Sequence, residues 1–285
     1  ELGGACLGKR DRQGERRKER QGAKRRQGAA RHGAPGEAGG GVRSYDRAMS
    51  VRRRLGDLLR GARRRLGAAR PRGPGWHRRA VGGRWDALGA LQFDFLVGRG
   101  LRPEHRLLDV GCGSLRGGLH FIRYLQPGHY YGVEKEARVL AAGRDEELVA
   151  AGLVDRAPHL IATPDFDLSS VVPSVQFEFA LAQSLFTHLR PELVALCMAR
   201  VGARLTPEGV FYATYFAAAG SAVELGPAHT WRDDELAHPR YPLAVLESIA
   251  ADAGLALESM GEWGHPRDQR MIALRPIAGE KPHAP

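Results

Sequence analysis

The chain has 285 residues, 43 Lys or Arg against 32 Asp or Glu, three Cys, and 43% hydrophobic residues. That composition excludes a collagen-like chain, a disulfide scaffold and a wholly disordered polymer, and it supplies enough apolar material for a sizeable core. The positive surplus is local: residues 1–80 hold 24 Lys or Arg against 7 Asp or Glu, whereas residues 81–285 hold 19 against 25, so a stretch of net +17 precedes one of net −6.

In chain order, residues 1–48 are Gly, Arg and Ala with no apolar period, and such a segment cannot build a core. They read as a disordered basic arm or, because the first methionine is Met49, as translated upstream sequence. Residues 49–80 read as a basic amphipathic helix, with Val51, Leu55, Leu58, Leu59, Ala62 and Leu66 at helical spacing, followed by a Pro and Gly linker. From residue 81 to 276 the pattern is that of one α/β domain, with a tail at 277–285. A helix is expected over Trp85–Val97, then alternating strands and helices. The strands are Arg106–Val110, Tyr130–Glu134, His159–Ala162, Phe177–Ala182 and Val210–Phe216. The helices between them carry Leu115, Leu119, Ile122 and Leu125, then Ala137–Ala151, then Pro191–Leu205. A helix from Pro242 to Gly254 and two strands, Leu255–Met260 and Arg270–Leu274, complete the domain.

The uncharged run Gly209–Val223 is shorter than the roughly 18 apolar residues that a membrane-spanning helix needs. Cys6, Cys112 and Cys197 are widely spaced and odd in number, which favours a reducing compartment and hence a cytoplasmic location. The histidines His229, His238 and His265 fall at irregular loop spacing, so no metal site is expected.

The strongest local signal is Leu107-Leu108-Asp109-Val110-Gly111-Cys112-Gly113-Ser114-Leu115-Arg116-Gly117-Gly118. A strand feeds a glycine turn, where Gly111 and Gly113 let the backbone approach a ligand without a Cβ in the way. Glu134 closes the next strand 21 residues after Gly113, where a carboxylate accepts both hydroxyls of a ribose. A nucleoside-containing ligand is therefore expected. The dinucleotide fingerprint would need glycine at position 116, and Arg116 stands there, which argues against hydride transfer.

These residues, together with Phe177-Glu178-Phe179-Ala180-Leu181-Ala182-Gln183-Ser184 and Leu205-Thr206-Pro207-Glu208-Gly209-Val210, resemble successive motifs of class I S-adenosylmethionine-dependent methyltransferases. Gly82-Gly83-Arg84-Trp85, Leu91-Gln92-Phe93-Asp94-Phe95-Leu96, Ser114-Leu115-Arg116-Gly117-Gly118, Gln183-Ser184-Leu185-Phe186-Thr187-His188-Leu189 and Gly261-Glu262-Trp263-Gly264-His265-Pro266-Arg267 resemble a bacterial subgroup of methyltransferase-domain proteins. The resemblance implies an α/β Rossmann-like fold with a mainly parallel seven-stranded sheet whose last strand is antiparallel. It also implies S-adenosyl-L-methionine as cofactor. Asp109, Gly111, Cys112 and Gly113 would surround its methionine moiety and sugar, Glu134 its ribose, and Asp165 with Phe166 its adenine, with Gln183 at the end of the fourth strand. Leu115 replaces the third glycine of the common Asp-x-Gly-x-Gly-x-Gly form.

In open α/β sheets ligands sit at the carboxyl ends of the strands, which makes His188 the candidate general base and Tyr215 a candidate lining the acceptor pocket. Each also has a structural reading, His188 as a packing histidine and Tyr215 as a core tyrosine. The expected function is metal-independent methyl transfer to oxygen or nitrogen of a small-molecule acceptor. Nucleic acid is disfavoured as substrate, because neither an Asn/Asp-Pro-Pro nor a Pro-Cys motif follows the fourth strand and the folded part is acidic. A nucleic-acid methyltransferase using the basic arm and a noncatalytic cofactor-binding scaffold are the alternatives.

Overall fold

Near-continuous apolar runs at Leu107–Val110 (β1) and Phe177–Ala182 (β4) mark strands buried on both faces. A computed structural model describes residues 73–168, 174–225 and 238–278. The arm, the basic amphipathic helix and most of the tail lie outside the described residues, as does His229.

The main sheet also contains Tyr130–Glu134 (β2), His159–Ala162 (β3), Leu205–Ala217 (β5), Leu255–Glu262 (β8) and Arg270–Pro276 (β9). Its order is β3-β2-β1-β4-β5-β9-β8, parallel from β3 to β5, with β9 antiparallel to β5 and to β8. This is the expected seven-stranded sheet with an antiparallel last strand. Two short strands, Glu224–Leu225 (β6) and Pro239–Tyr241 (β7), extend the carboxyl end of β5, where Phe216 pairs with Arg240. Their two and three residues are too short to leave a hydrophobic period in the sequence.

Helices cover both faces. On one side, Pro191–Gly202 (α5) starts with its proline where the fixed φ suits a helix start, and buries Val194, Cys197, Met198 and Val201 at 3.6-residue spacing. Leu243–Asp252 (α6) joins it through Leu246 and Ala250 over Phe211, Ala213 and Tyr215 of β5. On the other side, Trp85–Gly98 (α2) and Gly118–Tyr124 (α3) pack Leu96, Phe121 and Ile122 over Leu107, Tyr130 and Tyr212.

Three departures from the expected elements have physical causes. The helix after β1 begins at Gly118 rather than near Leu115, because Leu115 has a φ of 72° and cannot be helical. The helix expected over Ala137–Ala151 is α-helical over Ala137–Ala142 (α4) and then opens into a π-turn at Gly143–Leu148. There Gly143 lies against the Ser114 backbone, where a Cβ would come within 2.8 Å, and the widened turn leaves both Glu147 and Leu148 buried. Finally, Leu205 pairs with Phe177 before Thr206-Pro207-Glu208-Gly209 loops out, so β5 starts earlier than its apolar run. A further helix, Trp76–Ala80 (α1), lies in the segment expected to be linker.

Candidate cofactor and acceptor site

At the end of β1 the chain turns through Gly111 and Gly113, with φ of 75° and 58°. The Gly111 and Cys112 amides both donate to Val133 O, at 2.8 and 3.0 Å, which fastens the turn to β2. Glycine is required at 113 by space as well as by φ, since a Cβ there would lie 2.6 Å from Val81 Cγ1. Leu115 occupies the left-handed region without being glycine, and its fully buried side chain lies against Gly118 and Gly143. Burial offsets the strain of roughly 1–2 kcal/mol that such a residue bears.

Two carboxylates flank this turn. Asp109 is buried, accepts a hydrogen bond from Tyr130 Oη at 2.7 Å, and is pushed by burial up to a pKa of about 6. Glu134 accepts from the backbone amides of Gly113 at 3.1 Å and Glu136 at 2.9 Å, and burial raises its pKa. Each oxygen of Glu134 retains a free lone pair for a further donor such as a ribose hydroxyl, while the side chains of Val81 and Leu185 lie against Gly113 and Gly111 of the turn. Cys112 is buried with its Sγ over Gly132, and burial pushes its thiol pKa well up, which removes nucleophilic character.

Asp165 follows β3. Its Oδ1 accepts from Thr163 Oγ1 at 2.8 Å and from the Asp167 amide at 3.3 Å, while Arg200 Nη1 lies 3.3 Å from Oδ2 and donates to Asp165 O at 2.7 Å. Its carboxylate is thus engaged by its own loop and by α5. Phe166, at φ 63°, is partly buried against the core beside it.

His188 is exposed beyond β4, its ring 4.6 Å from that of His238. Tyr215 is buried on the face of β5 that packs under α5 and α6, opposite the neighbouring Thr214, and burial raises the pKa of its hydroxyl. The geometry favours a core role for Tyr215.

Gln183, just past β4, is the hub of a buried polar cluster that the sequence reading did not assemble. Its Oε1 accepts from Arg116 Nη2 at 2.7 Å and from Gln92 Nε2 at 3.2 Å; its Nε2 donates to Ser184 Oγ at 2.6 Å and lies 3.2 Å from His265 Nε2. Thr214 Oγ1 accepts from the Ser184 amide at 2.7 Å and donates to Gln269 Oε1 at 2.8 Å. Arg116 Nη1 donates to Val81 O at 2.7 Å and Gly83 O at 3.1 Å, drawing the segment after α1 over the glycine turn. Burial lowers the Arg116 pKa to about 10 and, with the nearby arginines, that of His265 to about 4. The signals in the sequence for this cluster were the phrases of the bacterial subgroup that contain Gly83, Gln92, Arg116, Gln183 and His265, which the structure brings together. A surface cleft of about 270 Å³ lined by Trp76, Arg138, Ala141, Ala142, Asp145 and Glu146 shares none of these residues.

No family model matches the chain. Its fold is similar to that of several solved methyltransferases. An S-adenosylmethionine-dependent methyltransferase from Clostridium acetobutylicum superposes with a TM-score of 0.52 at 11% identity, over 70% of this chain and 94% of that one. The CcbJ methyltransferase from Streptomyces caelestis gives 0.51 at 17% identity, over 70% and 92%. The 1,6-didemethyltoxoflavin-N1-methyltransferase from Burkholderia thailandensis, solved with 1,6-didemethyltoxoflavin and S-adenosylhomocysteine, gives 0.52 at 18% identity, over 86% and 93%. The fold is that of the class I S-adenosylmethionine-dependent methyltransferases. Among the described residues no helix is long and apolar enough to cross a membrane.

Proposed function

We propose that the chain transfers a methyl group from S-adenosylmethionine to oxygen or nitrogen of a small-molecule acceptor, without a metal. The observation that carries this reading is the pairing of a two-glycine turn, Gly111 to Gly113, with the buried carboxylate of Asp109 and the half-buried carboxylate of Glu134 at the carboxyl ends of β1 and β2. The Burkholderia neighbour's small-molecule substrate supports the acceptor class.

When bound, the cofactor supplies a methyl group already activated on a sulfonium. The protein then has to hold and orient. Glu134 binds the ribose hydroxyls, and Asp109 supplies negative charge toward the cationic amino-acid end. The glycine turn and Cys112 give that end a close backbone wall. Phe166 offers an aromatic face to the adenine, with Asp165 fixing its loop. Gln183 borders the methionine moiety. Where the acceptor carries a proton, His188 beside His238 is the base.

Titration with S-adenosylhomocysteine tests the site. Glu134→Ala should weaken binding by about 1–3 kcal/mol through lost charge-assisted hydrogen bonds. Equal affinity in the variant rejects the assignment. Transfer of labelled methyl from the cofactor into small-molecule extract, with chelator present, tests the reaction; activity that vanishes with chelator and returns with magnesium overturns the metal-free part.

A further inference from the structure

The cluster around Gln183 holds more hydrogen-bond donors than acceptors and more positive charge than its neighbours neutralise. Arg116 is buried, donates to three neutral oxygens (Val81 O, Gly83 O and Gln183 Oε1), and keeps a buried Nε with no hydrogen-bond partner. The carboxylate that acts on it, Asp109, already accepts from Tyr130. Arg267 donates to Gly82 O at 2.6 Å, the carbonyl between the two that Arg116 holds, so both guanidinium groups converge on one turn of three residues. Arg84, next in the chain, adds a third cation near His265, where Asp268 is the opposing acid.

The donor surplus is specific. The Arg267 amide donates to His265 Nδ1 at 3.3 Å, which leaves the proton of the neutral ring on Nε2. That N–H faces the Gln183 amide nitrogen, itself a donor, at 3.2 Å. An imidazole N–H thus faces a carboxamide nitrogen that already donates to Ser184 Oγ, while Gln183 Oε1 is shared by two donors and the Arg116 Nε of the same cluster has no acceptor. Buried donors and cations in this proportion call for an anion. The cofactor is a poor source of it: its sulfonium and ammonium outnumber its single carboxylate, and the acids of the site, Asp109 and Glu134, lie on its side.

We propose that Arg116, Arg267 and His265 form an anion subsite for the methyl acceptor, which is a small molecule bearing a carboxylate. The proposal rests on the methyl-transfer reading above and narrows its substrate class. Arg116 and His265 of the subsite are buried, whereas Arg84 and Arg267 are exposed.

The test joins a binding and a transfer measurement on the full chain. Small-molecule extract is passed over an anion exchanger, and both fractions are assayed for acceptance of labelled methyl. Acceptor activity is expected in the retained fraction. Arg267→Gln should raise its KM by about tenfold, and Arg267→Lys should recover part of that, while the affinity for S-adenosylhomocysteine stays within about twofold. Arg267 is exposed, so these variants fold even if those at Arg116 do not. Activity confined to the unretained fraction overturns the subsite while leaving the cofactor reading intact. So does a loss of S-adenosylhomocysteine affinity in Arg267→Gln with 5′-methylthioadenosine still bound normally, which assigns the subsite to the cofactor's own carboxylate. Failure of S-adenosylhomocysteine to bind the unaltered protein sinks the underlying reading instead.

Discussion

Asp109 and His265 pull the pH dependence of stability in opposite directions over nearly the same range. Burial raises Asp109 to about 6, so between roughly pH 4 and 6 the folded protein keeps a proton that the unfolded chain has lost, and stability falls as pH rises. Burial and nearby arginines lower His265 to about 4, so between about pH 4 and 6.5 the unfolded chain takes up a proton that the folded protein refuses, and stability rises with pH. The two slopes offset each other in the native protein. Asp109→Asn removes the first, and its stability should climb more steeply than the parent's between about pH 4.5 and 6.5. His265→Gln removes the second and should tilt the profile the other way. Each change is of the order of 1–2 kcal/mol across the range, since one full proton contributes about 1.4 kcal/mol per pH unit. Urea midpoints at the two ends measure it, and parallel profiles for all three proteins refute both assignments. Leu115 gives a second expectation at this scale. Leu115→Gly relieves the left-handed strain of roughly 1–2 kcal/mol but deletes a fully buried side chain worth about 2–5 kcal/mol. Thermal denaturation should therefore show net destabilisation, although glycine is the residue that the turn's φ prefers.

Among the elements, the segment from α1 to Arg84 is held over the glycine turn from two sides. Arg78 Nη2 donates to Glu147 Oε2 at 2.7 Å, and His77 Nε2 lies 3.2 Å from Glu146 Oε2, tying α1 to the π-turn. Arg116 and Arg267 hold the carbonyls of Val81, Gly82 and Gly83 on the other side. Arg78→Ala leaves the buried Glu147 carboxylate with His77 alone, 3.6 Å away. The cost should be about 1–3 kcal/mol, below that of a fully buried pair because Arg78 is half exposed. Hydrogen exchange should quicken at the amides of Val81, Gly82 and Gly83, which close onto α1, and not in β1 or β4. Unchanged exchange there would show that Arg116 and Arg267 suffice. This fastening also explains what the sequence could and could not reveal. β2, β3 and β4 were legible to the residue because each is an apolar run bounded by turn residues. The Asp109 to Glu134 half of the site was legible because its residues come from one βαβ unit with fixed spacing. The Gln183 cluster was not, since the bonds from Gln183 to Arg116, His265 and Gln92 join positions 67, 82 and 91 residues apart and no local pattern records which distant residues pair. Leu115 misled for a related reason: its spacing with Leu119 suits a helix, and only burial against Gly118 and Gly143 reveals the turn.

At the scale of the whole chain, charge divides where chemistry does. Every residue assigned to the site lies between 82 and 269, in the part whose residues 81–285 carry net −6, while residues 1–80 carry net +17. A sulfonium cofactor suits the acidic part, and a polyanion suits the basic one. The two affinities should therefore be separable. A chain that starts at Met49 loses 13 of its Lys and Arg and 6 of its Asp and Glu, yet should bind S-adenosylhomocysteine within about twofold of the full chain, because no assigned site residue is removed. Binding of a labelled RNA oligonucleotide, followed by anisotropy, should weaken on that truncation. For the full chain it should also fall steeply from about 50 to about 200 mM salt, as counterion release requires of a sequence-independent electrostatic contact. Saturating S-adenosylhomocysteine should leave RNA affinity unaltered, since the two ligands use different segments. If RNA instead competes with S-adenosylhomocysteine or takes up labelled methyl in preference to the acidic small-molecule fraction, the acceptor is nucleic acid. The excess of donors around Gln183 would then have phosphate rather than carboxylate as its partner, and the basic segment would belong to the substrate site.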